Sequence, residues 1–122
     1  MRSDESGRFA YDGLDRLLHE KARLGIMTSL LTHREGVLFN DLKAMCALTD
    51  GNLSRHLQAL STASLVEVIK GHEHGRPQTM CRLSTLGRER FIAYLSELER
   101  VLRDASVPLE SPAFPEGGWA PA

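Results

Sequence analysis

Residues 48–60 read L-T-D-G-N-L-S-R-H-L-Q-A-L, and several of them could do chemistry. Asp50, Asn52 and Ser54 stand at the first, third and fifth places of a calcium-binding loop. Such a loop also needs Gly at its sixth place and Glu at its twelfth, where this chain has Arg55 and Ser61, so calcium is excluded. Asn52-Leu53-Ser54 has the glycosylation pattern, which matters only in a secreted chain. Asp50-Gly51 is a hairpin cue, but no alternating strand follows it. Leu53, Leu57 and Leu60 instead recur at the spacing of one helical face. The spacing predicts a helix to about Thr62, with Thr49 as its N-cap and Asp50 at the positive end of its dipole.

On that helix, Gly51, Arg55, Gln58 and Thr62 point away from the leucine face, with Asn52, Ser54 and Ala59 beside them and His56 half-buried. A merely solvated face is normally salted with Lys and Glu pairs. This one carries a single cation, amides and small residues, the set that approaches a DNA major groove closely. Arg pairs with guanine edges there, Asn and Gln with adenine, and Arg55 is the foremost candidate. The competing reading is an ordinary core helix with a quiet outer face.

Other constellations are thinner. His72 and His74 share a loop with Cys81 nearby, yet a metal needs three or four placed ligands and no second cluster is visible. No metal or cofactor is expected. Cys46 and Cys81 are far apart, and both are read as reduced thiols. No phosphate loop, nucleophile elbow or paired-carboxylate motif is present, so an enzyme is not expected.

The elements that must position the 50–62 helix follow from period and punctuation. Residues 14–31 read as one helix with a stripe including Leu14, Leu17, Leu18, Leu24, Met27 and Leu30, which Gly25 could bend. Val37 to Phe39 is a short apolar piece, and Asn40 is expected to cap a helix over 41–48. Helix, short turn, helix is the helix-turn-helix plan. Residues 65–70 and 79–83 are predicted strands around a long polar loop, 71–77, where Lys70, His74 and Arg76 could neutralise phosphates. Ser84 or Thr85 caps a last helix to about Arg103, with Phe91, Leu95, Leu98 and Leu102 on one face and Ile92 and Val101 widening it. The fold class is mainly α with a small β-hairpin.

Length suits one domain, residues 12–104, behind a loose arm, 1–11, and ahead of a Pro/Gly-rich tail, 105–122, that holds four of the five prolines and Trp119. That tail reads as disordered. With net charge −1, bulk electrostatics announces no nucleic acid. Residues 49–82 are the more positive part, with four Lys/Arg against three acids, so a DNA reading rests on geometry. No apolar run is long enough for a membrane span and the polar N-terminus is no signal peptide; a cytoplasmic protein is expected.

Five separated pieces in order, H-E-K-A-R-L-G-I-M (19–27), F-N-D-L (39–42), T-D-G-N-L-S-R-H-L (49–57), G-R-P-Q-T (75–79) and L-S-T-L-G-R (83–88), resemble the small winged-helix transcriptional regulators of the MarR and ArsR types over residues 12–103. The resemblance implies a homodimeric winged helix-turn-helix protein that binds double-stranded DNA. It implies a recognition helix at 50–61, with Gly51, Asn52, Ser54 and Arg55 at positions that meet DNA, and a wing at 70–79. The chain departs from metal-sensing relatives, which carry a cysteine pair on the helix-turn-helix where it has only Cys46. The expected DNA-binding set is Gly51, Asn52, Ser54, Arg55, Gln58, Lys70, His74 and Arg76. The expected dimer interface is Leu14, Leu17, Leu18, Phe91, Leu95, Leu98 and Leu102, which would set two recognition helices about 34 Å apart on a pseudo-palindromic operator. The dimer helices could also enclose an unknown small-molecule effector. The alternative is a winged-helix protein-interaction module whose epitope is the same quiet face.

Overall fold

The computed structural model describes residues 6–106, 116–120 and 122. Its elements run α1 (Lys21–Thr32), β1 (Val37–Leu38), α2 (Phe39–Cys46), α3 (Asp50–Thr62), β2 (Val66–Glu73), β3 (Arg76–Leu83) and α4 (Thr85–Ala105). The three strands form one antiparallel sheet in the order β1-β3-β2. Ile26, Met27 and Leu30 of α1, Leu42 of α2, Leu53, Leu57 and Leu60 of α3, and Phe91 and Tyr94 of α4 bury against Leu65, Val66, Cys81 and Leu83. The predicted leucine face of α3 is therefore its core face.

The first helix is shorter than its apolar stripe suggests. Residues 14–20 are turns, and α1 starts only after Glu20. The Asp15 carboxylate accepts from the Leu17 amide at 2.9 Å, and Glu20 accepts from the amides of Ala22 and Arg23 at 3.1 and 3.2 Å. Both side chains take amides that a continuous helix would pair with backbone carbonyls. The turns also follow α4: the Tyr11 hydroxyl donates to Asp104 at 2.8 Å, the Gly13 amide donates to Glu97 at 2.9 Å, and Asp15 pairs with Arg90. The chain is thus anchored from Tyr11 onward, and of the predicted loose arm the described residues 6–10 alone remain exposed. α1 runs on through Gly25, which faces α2: a Cβ there would make ordinary contact with the Cys46 sulfur at 3.6 Å.

The helix-turn-helix forms with one boundary moved. β1 runs straight into α2, whose N-cap is Leu38 without a side-chain cap, so Asn40 lies inside the helix rather than capping it. Ala47 ends α2 in the left-handed region at φ 53°. Thr49 caps α3 as predicted, its hydroxyl accepting from the Asn52 amide at 3.2 Å.

The hairpin differs more. Its strands are eight residues each and pair through Glu73↔Arg76, leaving only His74-Gly75 as the turn. Both turn residues have positive φ, 52° and 75°. That pair matches a type I′ turn, whose twist agrees with that of the strands, so the ladder continues to the tip and the expected seven-residue loop does not exist. Ser84 caps α4, accepting from the Gly87 amide at 2.9 Å. Gly87 is required there, because a Cβ would stand 1.9 Å from the Leu65 carbonyl oxygen.

The proposed dimer residues divide. Leu18 and Phe91 are 0 % exposed within the single chain, so they belong to its core and cannot meet a second copy directly. Leu14, Leu17, Leu95 and Leu98 are half-buried against that core, and Leu102 is 66 % exposed. Most of the tail, 107–115 and 121, lies outside the described residues, while Trp119 is exposed. Among the described residues no helix is long and apolar enough to cross a membrane.

Candidate nucleic-acid interface

Gly51, Asn52, Ser54, Arg55 and Gln58 are all exposed on the outer face of α3. Arg55 Nη2 donates to Asn52 Oδ1 at 3.3 Å, which holds the guanidinium along the helix beside the amide. The one acid of the α3 first turn is engaged: Asp50 lies 2.7 Å from the Lys43 ammonium of α2. A Cβ on Gly51 would meet nothing within 4 Å, so this glycine leaves the helix's first turn open to close approach. Positive partial charge at that helix end, a planar cation and two amides make a surface suited to base edges and phosphate oxygens.

The strands add a second wall. Register sets Lys70 opposite Thr79, and Val68 opposite the buried Cys81, so alternation turns Val68, Lys70 and Thr79 toward α3. Between α3 and these strands lies an open groove of about 540 Å³. Phe39, Leu57 and Val68 supply its apolar surface, and Ser54, Gln58, Ser61, Thr62, Lys70 and Thr79 its polar lining. The structure thus joins Ser54, Gln58 and Lys70 in one feature. His74 and Arg76 are elsewhere, at the hairpin tip, where the His74 side chain is 91 % exposed. Alternation puts Arg76 on the face opposite Lys70.

Ser61 and Thr79 escaped the sequence reading. Helical spacing from Ser54 carries a signal for Ser61, whereas Thr79 opens the predicted 79–83 strand and joins the site only through its pairing with Lys70. Among the described residues no three His, Cys, Asp or Glu side chains gather as a metal set. Cys81 is buried on β3, and burial pushes its thiol up to about 11, a value that keeps it protonated and unreactive at neutral pH.

A helix-turn-helix followed at once by a two-stranded wing, both opening on one groove, defines a winged-helix protein. Residues 22–102 match the family described as winged helix DNA-binding domain, and the chain belongs to that family. An uncharacterized protein of Methanocaldococcus jannaschii is 35 % identical over 83 residues, covering 68 % of this chain and 89 % of the relative. The structure of a transcriptional regulator homologue from Pyrococcus horikoshii OT3 superposes with a TM-score of 0.72 at 29 % identity, over 85 % of this chain and 99 % of that one. The S. aureus MepR–DNA complex has a TM-score of 0.65 at 19 % identity, over 84 % and 82 % of the two chains, and shares the fold.

Proposed function

We propose that this protein is a cytoplasmic transcriptional regulator that binds double-stranded DNA sequence-specifically, as a dimer on a pseudo-palindromic operator. The observation that carries the reading is the outer face of α3, where Arg55 and Asn52 stand together and the first-turn acid Asp50 is tied to Lys43. The α3 face enters the major groove, with Arg55 and Asn52 reading base edges and Gly51 allowing close approach. Lys70, with the hydroxyls of Ser54 and Thr79 around it, holds backbone phosphate, and His74 and Arg76 at the wing tip reach further along the duplex. The family's description and the MepR complex, a DNA complex of the same fold, support this.

The dimer surface is the exposed face of α4. Ile92 and Leu102 are 48 % and 66 % exposed with half-buried Leu95 between them, a spacing that suits a two-helix seam. Leu98 flanks this seam, while the turns that carry Leu14 and Leu17 run along the opposite side of α4, where Gly13 meets Glu97 and Asp15 meets Arg90. An antiparallel pairing that sets Ile92 against a second copy's Leu95 also sets Arg88 against that copy's Glu99, so charge complementarity favours this register.

Fluorescence anisotropy with a labelled duplex from the protein's own upstream region, run across a salt series, tests the function. Expected are tighter binding than to a scrambled duplex and a steep loss with salt. Binding that ignores sequence, or no binding at low salt, removes the reading and leaves the α3 face as a protein epitope.

A further inference from the structure

Among the described residues His56 is the one polar side chain buried in the core, at 8 % exposure. It is buried on α3 with Leu53, Leu57 and Leu60, one helical turn on from Asn52. Its Nδ1 accepts from Arg23 Nε at 3.2 Å and stands 3.6 Å from Glu20 Oε2. Arg23 Nη1 also donates to the Leu17 carbonyl at 3.2 Å, and Glu20 is the cap of α1. One ring nitrogen therefore ties α3 to the start of α1 and to the segment laid along α4. Glu20 and Arg23 are the charged groups within hydrogen-bond or ion-pair reach of the ring; among the described residues α2, the sheet and α4 bring none that close.

Arg23 and a proton compete for the same lone pair. When Nδ1 accepts from Arg23, the imidazole is neutral, with its hydrogen on Nε2. A proton on Nδ1 removes the acceptor, sets two cations side by side, and makes Nδ1–H a donor for the Glu20 carboxylate. Burial alone would raise the Glu20 pKa, but the amides of Ala22 and Arg23 and the charge of Arg23, joined by that of His56 once protonated, outweigh it and hold the carboxyl below its ordinary value. An ionised partner for protonated His56 is thus present throughout the range in which histidine titrates.

We propose that His56, Arg23 and Glu20 form a proton-gated clamp that positions the recognition helix. With His56 neutral, Arg23 holds α3 as seen here; with His56 protonated, Glu20 replaces Arg23, the Leu17 carbonyl loses its donor, and DNA binding weakens. The DNA consequence rests on the reading of α3 as the recognition helix, whereas the exchange itself does not. His56 is a positioning residue, since its ring is buried and bonded to Arg23 of α1 rather than exposed with Asn52 and Arg55. The wing histidines, His72 and His74, act in the opposite sense, because protonating them adds positive charge beside phosphate.

The test has two arms. In the free protein, amide and histidine-ring NMR shifts are followed from pH 8 to 5.5. The His56 ring and the amides of Leu17, Gly51, Asn52 and Arg55 should move with one common midpoint. In His56→Gln, whose amide oxygen still accepts from Arg23, those amide shifts should vanish. Arg23→Gln, which removes the competing cation and leaves the ring, serves if His56→Gln does not fold, and should raise the His56 midpoint. In the second arm, duplex affinity is measured at pH 8 and pH 6 in a His72→Gln/His74→Gln background. Affinity should fall several-fold from pH 8 to pH 6, and should be flat with His56→Gln added. Amides that ignore the His56 midpoint, an Arg23→Gln midpoint equal to the wild type's, or an affinity loss that survives His56→Gln overturns the clamp. Failure of the duplex to bind at pH 8 removes the DNA reading instead and leaves the NMR arm to decide the clamp.

Discussion

On the outer face of α3, Asn52 and Arg55 are bonded to each other, Oδ1 to Nη2 at 3.3 Å, three residues apart and both exposed. A free arginine on a helix samples many rotamers, whereas this one is steered along the helix before any partner arrives. Arg55→Ala should cost ~1–3 kcal/mol of discrimination between the operator and a mutated site, measured by competition anisotropy. Asn52→Ala should cost less discrimination if its main part is to hold Arg55. Equal losses in the two single variants and in the double variant would show that the pair acts as a unit.

Lys70 faces the groove beside Ser54 and Gln58, while Arg76 is at the hairpin tip on the other strand face. Lys70→Ala should weaken binding to all duplexes alike and reduce the slope of log affinity against log salt by about 1. Arg76→Ala should show the same signature. A change in sequence preference with an unchanged slope would place either residue on bases rather than phosphate.

Two glycines on helices should respond in opposite ways. Gly87→Ala drives a Cβ into the Leu65 carbonyl and should destabilise the fold by ~1–3 kcal/mol in urea unfolding. Gly51→Ala meets open space and should be neutral or stabilising by up to ~1 kcal/mol. The same methyl crowds the face proposed to meet DNA, so Gly51→Ala should bind the operator less tightly although it is no less stable.

The Cys81 thiol, raised from 9.0 to about 11 by burial, favours the fold while it stays neutral. That stability is whole below its unfolded value near pH 9 and is lost as pH rises through about 11. Tyr94, also raised by burial, acts in the same direction at high pH. Glu20 has the opposite sign: its lowered carboxyl gives stability that is present above 4.5 and lost as pH falls through the lower folded value. Denaturant midpoints against pH should fall on both sides, with the alkaline limb flatter in Cys81→Ala and the acid limb flatter in Glu20→Gln. A thiol reagent at pH 8 should label half-buried Cys46 in the folded protein and Cys81 only after unfolding.

If two copies pair through α4 in the proposed register, Glu99→Arg should shift the protein toward monomer in sedimentation equilibrium. Arg88→Glu should do the same, and the double exchange should restore the dimer. A dimer indifferent to both single changes would place the interface elsewhere.

Neighbours within a few residues set the local features of the fold. Thr49 caps α3 because its hydroxyl reaches an amide three residues on, and Leu53, Leu57 and Leu60 share a face because helical geometry repeats at that spacing. The outer face of α3, and with it Asn52, Ser54, Arg55 and Gln58, follows from the same period. Tertiary contacts decided the rest. The apolar stripe from Leu14 runs on past the point where the helix can, because Asp15 and Glu20 take local amides while Tyr11, Gly13 and Asp15 find partners on α4 as far away as Asp104. Stripe position alone did not separate Leu18 and Phe91, which are internal, from Leu102, which is exposed. Thr79 joins Lys70 only through strand register, and His56 meets Glu20 and Arg23 only because α3 crosses the start of α1. Period and caps are local and can be read in order along the chain, but a site assembled from distant segments exists only once burial has brought them together.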